Sequence, residues 1–186
     1  MEIETMERTE IQYDAVMSTC RDIFTKKTQD YGTSWRVLRP ISIADQLYIK
    51  ALRIRTIQEK QVQKIDEDVA SEFRAIVNYA IIGNIQLAIA TDVAEELAPE
   101  EALQLYLVEG AAARALMLAK NHDYGEAWRN MSQESFVDLI LMKLLRIRQI
   151  IANGGTTLIS EGIDANYYDI INYASFALIL IAEKKH

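Results

Sequence analysis

Apolar residues recur along this chain at helical intervals, in stretches broken by glycine, proline and polar runs. Ile11, Ala15, Cys20, Ile23 and Phe24 fall at near-helical spacing, and Tyr31-Gly32 closes that run, which predicts a helix over 8–29. Residues 33–41 read as a connection, with Pro40 favouring extended backbone before it. Ile43, Leu47, Lys50, Ile54 and Ile57 trace one face of a second helix over 43–63, with Ser42 as its N-cap. Asp66 suits the cap of a third, and Glu67 in its first turn suits the helix dipole. That helix runs through Phe73, Ile76, Val77, Ala80 and Ile81 to about Thr91. Pro99-Glu100-Glu101 opens a fourth helix reaching about Asn121, and Ser132 or Ser135 caps a fifth ending near Ala152 before Asn153-Gly154-Gly155. Ser160 sits where a cap for the last helix, 161–183, is expected, and no segment has a convincing strand pattern.

The pattern is used twice. Asp30-Tyr31-Gly32-Thr33-Ser34-Trp35-Arg36 returns 93 residues later as Asp123-Tyr124-Gly125-Glu126-Ala127-Trp128-Arg129. From 13 to 57, sixteen of 45 positions are identical at this offset, where chance gives about three. Tyr13 meets Tyr106, Lys27 meets Lys120, Lys50 meets Lys143, and Arg53-Ile54-Arg55 meets Arg146-Ile147-Arg148. One inserted residue shifts the offset to 94, where Glu67 meets Glu161 and Asn78-Tyr79-Ala80 meets Asn172-Tyr173-Ala174. The chain is an internal duplication, with units at about 8–95 and about 99–184. The expected fold is all-α: a six-helix bundle of two tandem three-helix units with pseudo-twofold symmetry, forming one compact domain.

Composition narrows the partners. A net charge of −7 with a pI near 4.9 disfavours nucleic-acid coating, which needs basic surface to displace counterions. The acidic N-terminus is no signal peptide, the apolar stretch Ile170 to Ala182 is too short for a bilayer, and the single cysteine, Cys20, fits a reducing compartment. A cytoplasmic protein without membrane attachment is expected, and a homo-oligomer is compatible with the sequence.

The late acidic helix carries the candidate chemistry. Glu161, Asp169 and Asn172 stand at i, i+8 and i+11, along one helical stripe. Carboxylates so aligned suit Mg²⁺, with water and phosphate oxygens completing its shell; a solvated or ion-paired stripe is the structural alternative. Asp169 lies among apolar residues and needs a partner or a cation. Lys143 and Arg146 stand one turn apart, with Lys120 and Asp123 at the end of the preceding helix; acids that take metal and bases that take phosphate suit a nucleotide, and ion pairs of Lys143 and Arg146 that lock the bundle are the nearly equal alternative. Trp35 and Trp128 suit core packing, or base stacking with Arg36 or Arg129 nearby. Glycine after tyrosine suits a left-handed C-cap, with the aspartate tying down the turn. His122 and His186 are isolated, and Cys20 sits on an apolar face as a core residue.

Lys120-Asn121-His122-Asp123-Tyr124-Gly125, Lys143-x-x-Arg146, and Glu161 with Asp169-Ile170-Ile171-Asn172-Tyr173 together resemble the first nucleotide-modification-associated domain family. The layout is also similar, more distantly, to the MazG-like all-α nucleoside triphosphate pyrophosphatases, although no Glu-Glu-x-x-Glu run precedes Lys120. The resemblance implies a nucleotide or nucleotide-like ligand. In an enzymatic form, Glu161 and Asp169 hold Mg²⁺, Lys120, Lys143 and Arg146 contact phosphate, Asn172 orients ligand or water, and Tyr124 or Trp128 meets the base. A non-catalytic nucleotide-binding or assembly module is the alternative. Ala75 stands where the second unit has Asp169, which marks the first unit as the degenerate half.

Overall fold

The computed structural model describes residues 2–60, 68–89 and 96–186, with side chains from Glu7 onward. Six long helices dominate: α1 (Glu2–Tyr31), α2 (Pro40–Lys60), α3 (Val69–Ala88), α4 (Pro99–Tyr124), α5 (Gln133–Ala152) and α6 (Ile163–Ala182). Short 3-10 turns, Ser34–Val37 and Ala127–Asn130, link α1 to α2 and α4 to α5. No strand occurs among the described residues. The expected all-α six-helix bundle is therefore observed.

Local chemistry explains the boundaries. α1 and α4 both run into a glycine in the left-handed region, Gly32 (φ +67°) and Gly125 (φ +57°), so the repeated Tyr-Gly acts as the helix stop. α2 begins at Pro40 rather than at Ser42. Proline tolerates the first turn because no N–H is needed there, and the Arg39 carbonyl accepts from the Ser42 and Ile43 amides. Ser132 caps α5 as expected, accepting from the Ser135 amide. Asp68 caps α3 in the same way, accepting from the Ser71 amide; the expected Asp66 cap, Glu67 and the helix end near Thr91 lie outside the described residues. Ser160 does not cap α6. Its carbonyl accepts from the Thr157 hydroxyl, and the helix starts after Gly162 with no side-chain cap.

Each helix packs on its own counterpart: α1 on α4, α2 on α5, α3 on α6. The reciprocal pattern extends to side chains. Tyr13 donates to Asn172 Oδ1 at 2.7 Å while Tyr106 donates to Asn78 Oδ1 at 2.8 Å. Arg148 pairs with Asp45 at 2.5 Å while Arg55 pairs with Asp138 at 3.7 Å. Contacts that swap in this manner are consistent with a pseudo-twofold relation between the units. At the central α3–α6 contact a Cβ on Gly83 would lie 2.7 Å from the Tyr167 ring, so only glycine allows this approach. Cys20 is fully buried, and burial pushes its thiol up to about 12; it is a core residue, as its apolar face suggests.

Among the described residues one helix, α4, is long and apolar enough to cross a membrane by length and composition. It packs against α1, α3 and α6, and its Arg114 bonds Glu10 and Asp14 on α1.

The end of α6 is tied to the start of α1. Glu183 bonds Arg8, Gln12, Arg129 and Lys185. Burial alone would raise its pKa, but the bonds from Gln12 and Lys185 and the charges of Arg129 and Arg8 outweigh it and hold Glu183 at about 2. A depressed carboxylate contributes stability above its unfolded pKa, and that contribution fades as pH falls toward the folded value. Glu183→Gln should therefore lower stability at pH 7 by about 1–2 kcal/mol after solvent screening. The gap to wild type should close between about pH 4.5 and pH 2. Melting curves across that range test it; a constant gap would assign the loss to packing instead.

Candidate functional site: two versions of one three-helix junction

In each unit the end of the first helix, the middle of the second and the first turns of the third converge below the Tyr-Gly turn. The second unit closes this junction with ions. Lys120 (α4) donates to Asp169 Oδ1 at 2.5 Å, and Lys143 (α5) stands 2.6 Å from Asp169 Oδ2. The side chains of Lys143 and Asp169 are 8% and 5% exposed, so this is a buried cluster. Burial alone would pull Lys120 down; the hydrogen bond and charge of Asp169 outweigh it, and its pKa is raised.

The neighbouring residues are also committed to the fold. Asn172, one turn along, accepts from Tyr13 and donates to the Ala113 carbonyl. Trp128 is buried, stacks on Phe176 with centroids 4.2 Å apart and planes 8° from parallel, and donates from Nε1 to Asn121 Oδ1. Arg129 lies over its ring at 4.4 Å. Glu126, in the left-handed region at φ 58°, accepts from Thr9, Asn121 and Arg129. These bonds offset the strain of that backbone and anchor the turn, a role the sequence did not point to. Asp123 does not tie down the turn: it is exposed and meets only His122, at 3.2 Å.

Thus Lys120, Lys143 and Asp169 come together, with Asn172 beside them. Tyr124 is 71% exposed. Glu161 is exposed and precedes α6, so it is not on the helical stripe of Asp169 and Asn172, although its charge still acts on Lys120. Glu161 and Arg146 instead line an open groove beside the α5–α6 loop. The donor set fits Mg²⁺ poorly. Both Asp169 oxygens face ammonium groups, and no group of three or more His, Cys, Asp or Glu side chains able to hold a metal occurs among the described residues.

The first unit keeps the lysines and loses the acid. Ala75 occupies the place of Asp169, and a cavity of about 570 Å³ opens there. Lys27, Lys50 and Arg74 line it, with Glu72 as the one carboxylate among the described lining residues. Three exchanges empty it. Ala75 replaces Asp169, Ile82 replaces the Phe176 on which Trp128 stacks, and Thr28 replaces the Asn121 that satisfies Trp128. Phe24 in place of Met117 goes the other way. The Thr28 hydroxyl is spent on the Phe24 carbonyl, so Trp35 Nε1, in a residue 8% exposed, has no hydrogen-bond partner among the described residues. Glu72, 5% exposed, bonds Arg53 through Oε1; its Oε2 accepts no hydrogen bond and faces the Lys50 ammonium at 3.5 Å. Tyr79 provides an aromatic wall, with Lys50 5.7 Å over its ring.

The profile of the family described as Nucleotide modification associated domain 1 matches residues 27–87 and again 120–181. The chain belongs to this family. Both matches span the helix end, the second helix and the third helix that build the junction. No curated protein and no solved structure matches the chain. The family name points to a role related to nucleotide modification.

Proposed function

We propose that the protein binds a nucleotide in the cavity of its first unit, as a binding component of nucleotide-modification chemistry. The observation that carries this reading is an aromatic-walled cavity lined by Lys27, Lys50 and Arg74 in a chain of net charge −7. Beside it, Trp35 Nε1 has no hydrogen-bond partner among the described residues, and Glu72 Oε2 lies 3.5 Å from the Lys50 ammonium. Buried polar groups left unpaired are costly. The Tyr79 and Trp35 rings suit the flat base, and the cationic side chains suit its phosphates. The size lies within the usual range for small-molecule sites.

In this reading any Mg²⁺ would be held through the ligand's phosphates rather than by Asp169, whose oxygens face Lys120 and Lys143. The buried lysine clamp on Asp169 favours binding over MazG-like hydrolysis, because that chemistry asks for carboxylates free to take metal. A thermal-shift panel of nucleoside mono-, di- and triphosphates, with and without Mg²⁺, tests the proposal. A ligand at 100 times its dissociation constant stabilises a fold by about 2.7 kcal/mol, so a clear rise in melting temperature is expected for at least one nucleotide. A flat panel would refute nucleotide binding and favour a helical assembly module.

A further inference from the structure

The two junctions differ at three charged positions: Asp169 of the second unit is Ala75 in the first, and Glu72 and Arg74 of the first are the neutral Asn166 and Tyr168 in the second. In the second unit a carboxylate sits between two lysines from neighbouring helices. The first unit presents the equivalent lysines, Lys27 on α1 and Lys50 on α2, to a cavity with Ala75 at its wall. We infer that the first unit takes a phosphate group of its ligand over Ala75, between Lys27 and Lys50, in the place the Asp169 carboxylate holds in the second unit. The second unit is then a self-ligated copy of the binding half: its own side chain plays the part of the ligand's anion.

Three observations support this placement independently. Lys27 is exposed and has no ion-pair partner among the described residues, whereas its counterpart Lys120 is bonded to Asp169. Lys50 reaches Glu72 only at 3.5 Å, against 2.6 Å for Lys143 and Asp169, so its ammonium retains bonding capacity. Among the described lining residues are three cationic side chains and one carboxylate, with the Glu96 carboxylate beside Gly32 at the edge, within a chain of net charge −7. That local excess of positive charge is what an anion site requires. Glu72 stands one turn before Ala75 and is bound by Arg53. It is placed to accept from the uncharged part of the ligand rather than to fill the anion's position.

This rests on the nucleotide reading for the organic part of the ligand only. The test is calorimetric titration of the full chain with nucleotides and, separately, with inorganic phosphate and pyrophosphate. The titrations compare wild type, Ala75→Asp and Lys27→Met. Ala75→Asp supplies the missing carboxylate from within. It should melt no lower than wild type and lose binding of every phosphate-bearing probe by at least about tenfold. Lys27→Met removes an exposed cation without a fold partner. It should leave the melting temperature nearly unchanged and weaken the same probes by about tenfold. Equal nucleotide affinity in all three proteins would overturn the anion placement while leaving nucleotide binding intact. Pyrophosphate binding that disappears in Ala75→Asp, with no binding of any nucleotide, would uphold the placement and overturn the nucleotide reading. No binding of any probe to wild type overturns both. If Ala75→Asp fails to fold, Lys27→Met decides the matter alone.

Discussion

Asp169→Ala is expected to destabilise the protein by about 3–5 kcal/mol, because it leaves the buried Lys143 ammonium without its counterion. The loss comes from stranding a charge and not from the net worth of the ion pair, and the two can be separated. Asp169→Leu combined with Lys143→Met removes both buried charges and keeps similar volume. Such replacements are often neutral or stabilising, so the double variant should recover most of the loss. Lys120 does not block the recovery, since its side chain is 44% exposed and can turn to solvent. Urea denaturation of the three proteins gives the numbers. A cost below about 1 kcal/mol for Asp169→Ala would mean that the pair is hydrated and that Asp169 is free for other work. There is a further expected result: millimolar pyrophosphate should raise the melting temperature of Asp169→Ala more than that of wild type. That variant opens in the second unit the anion position that the first unit already has.

Much of this arrangement is legible in the sequence, and the part that is not has a physical cause. The duplication, the six helices, the Tyr-Gly stops and the Ser132 cap follow from periodicity and backbone preference, which are local. The convergence of Lys120, Lys143 and Asp169 could be anticipated because a carboxylate flanked by Ile170 and Ile171 demands a partner. Glu161 misled. Its spacing from Asp169 fits a helix, but the spacing holds only if the helix begins at 161, and it begins after Gly162. Ala75 was visible too, and sequence alone presents it as decay of an acidic stripe. Its consequence depends on Thr28, Ile82 and Ala75 lying around one space, and no one-dimensional pattern reports an absence of volume. Glu72 and Arg74 gave no signal, because their second-unit counterparts Asn166 and Tyr168 are neutral. Trp35 was ambiguous for a related reason: a buried tryptophan looks the same in sequence whether or not its N–H is satisfied.

That ambiguity sets up the second large effect. Trp128→Ala should cost about 3–5 kcal/mol, the usual loss for truncating a buried aromatic, because the ring stacks on Phe176 and lies under Arg129. The milder exchange to phenylalanine is more informative when made in both units. Trp128→Phe keeps an aromatic ring but strands the buried Asn121 Oδ1 that now accepts from the indole. An unsatisfied buried acceptor adds about 1–3 kcal/mol to the packing loss. Trp35→Phe breaks no hydrogen bond, since Trp35 Nε1 has no hydrogen-bond partner among the described residues, so its loss is packing alone. The two substitutions, chemically identical and at equivalent positions of the repeat, should therefore differ in unfolding free energy by at least about 1 kcal/mol, with Trp128→Phe the worse. Equal stability losses at the two positions would indicate that both indoles find partners within the fold.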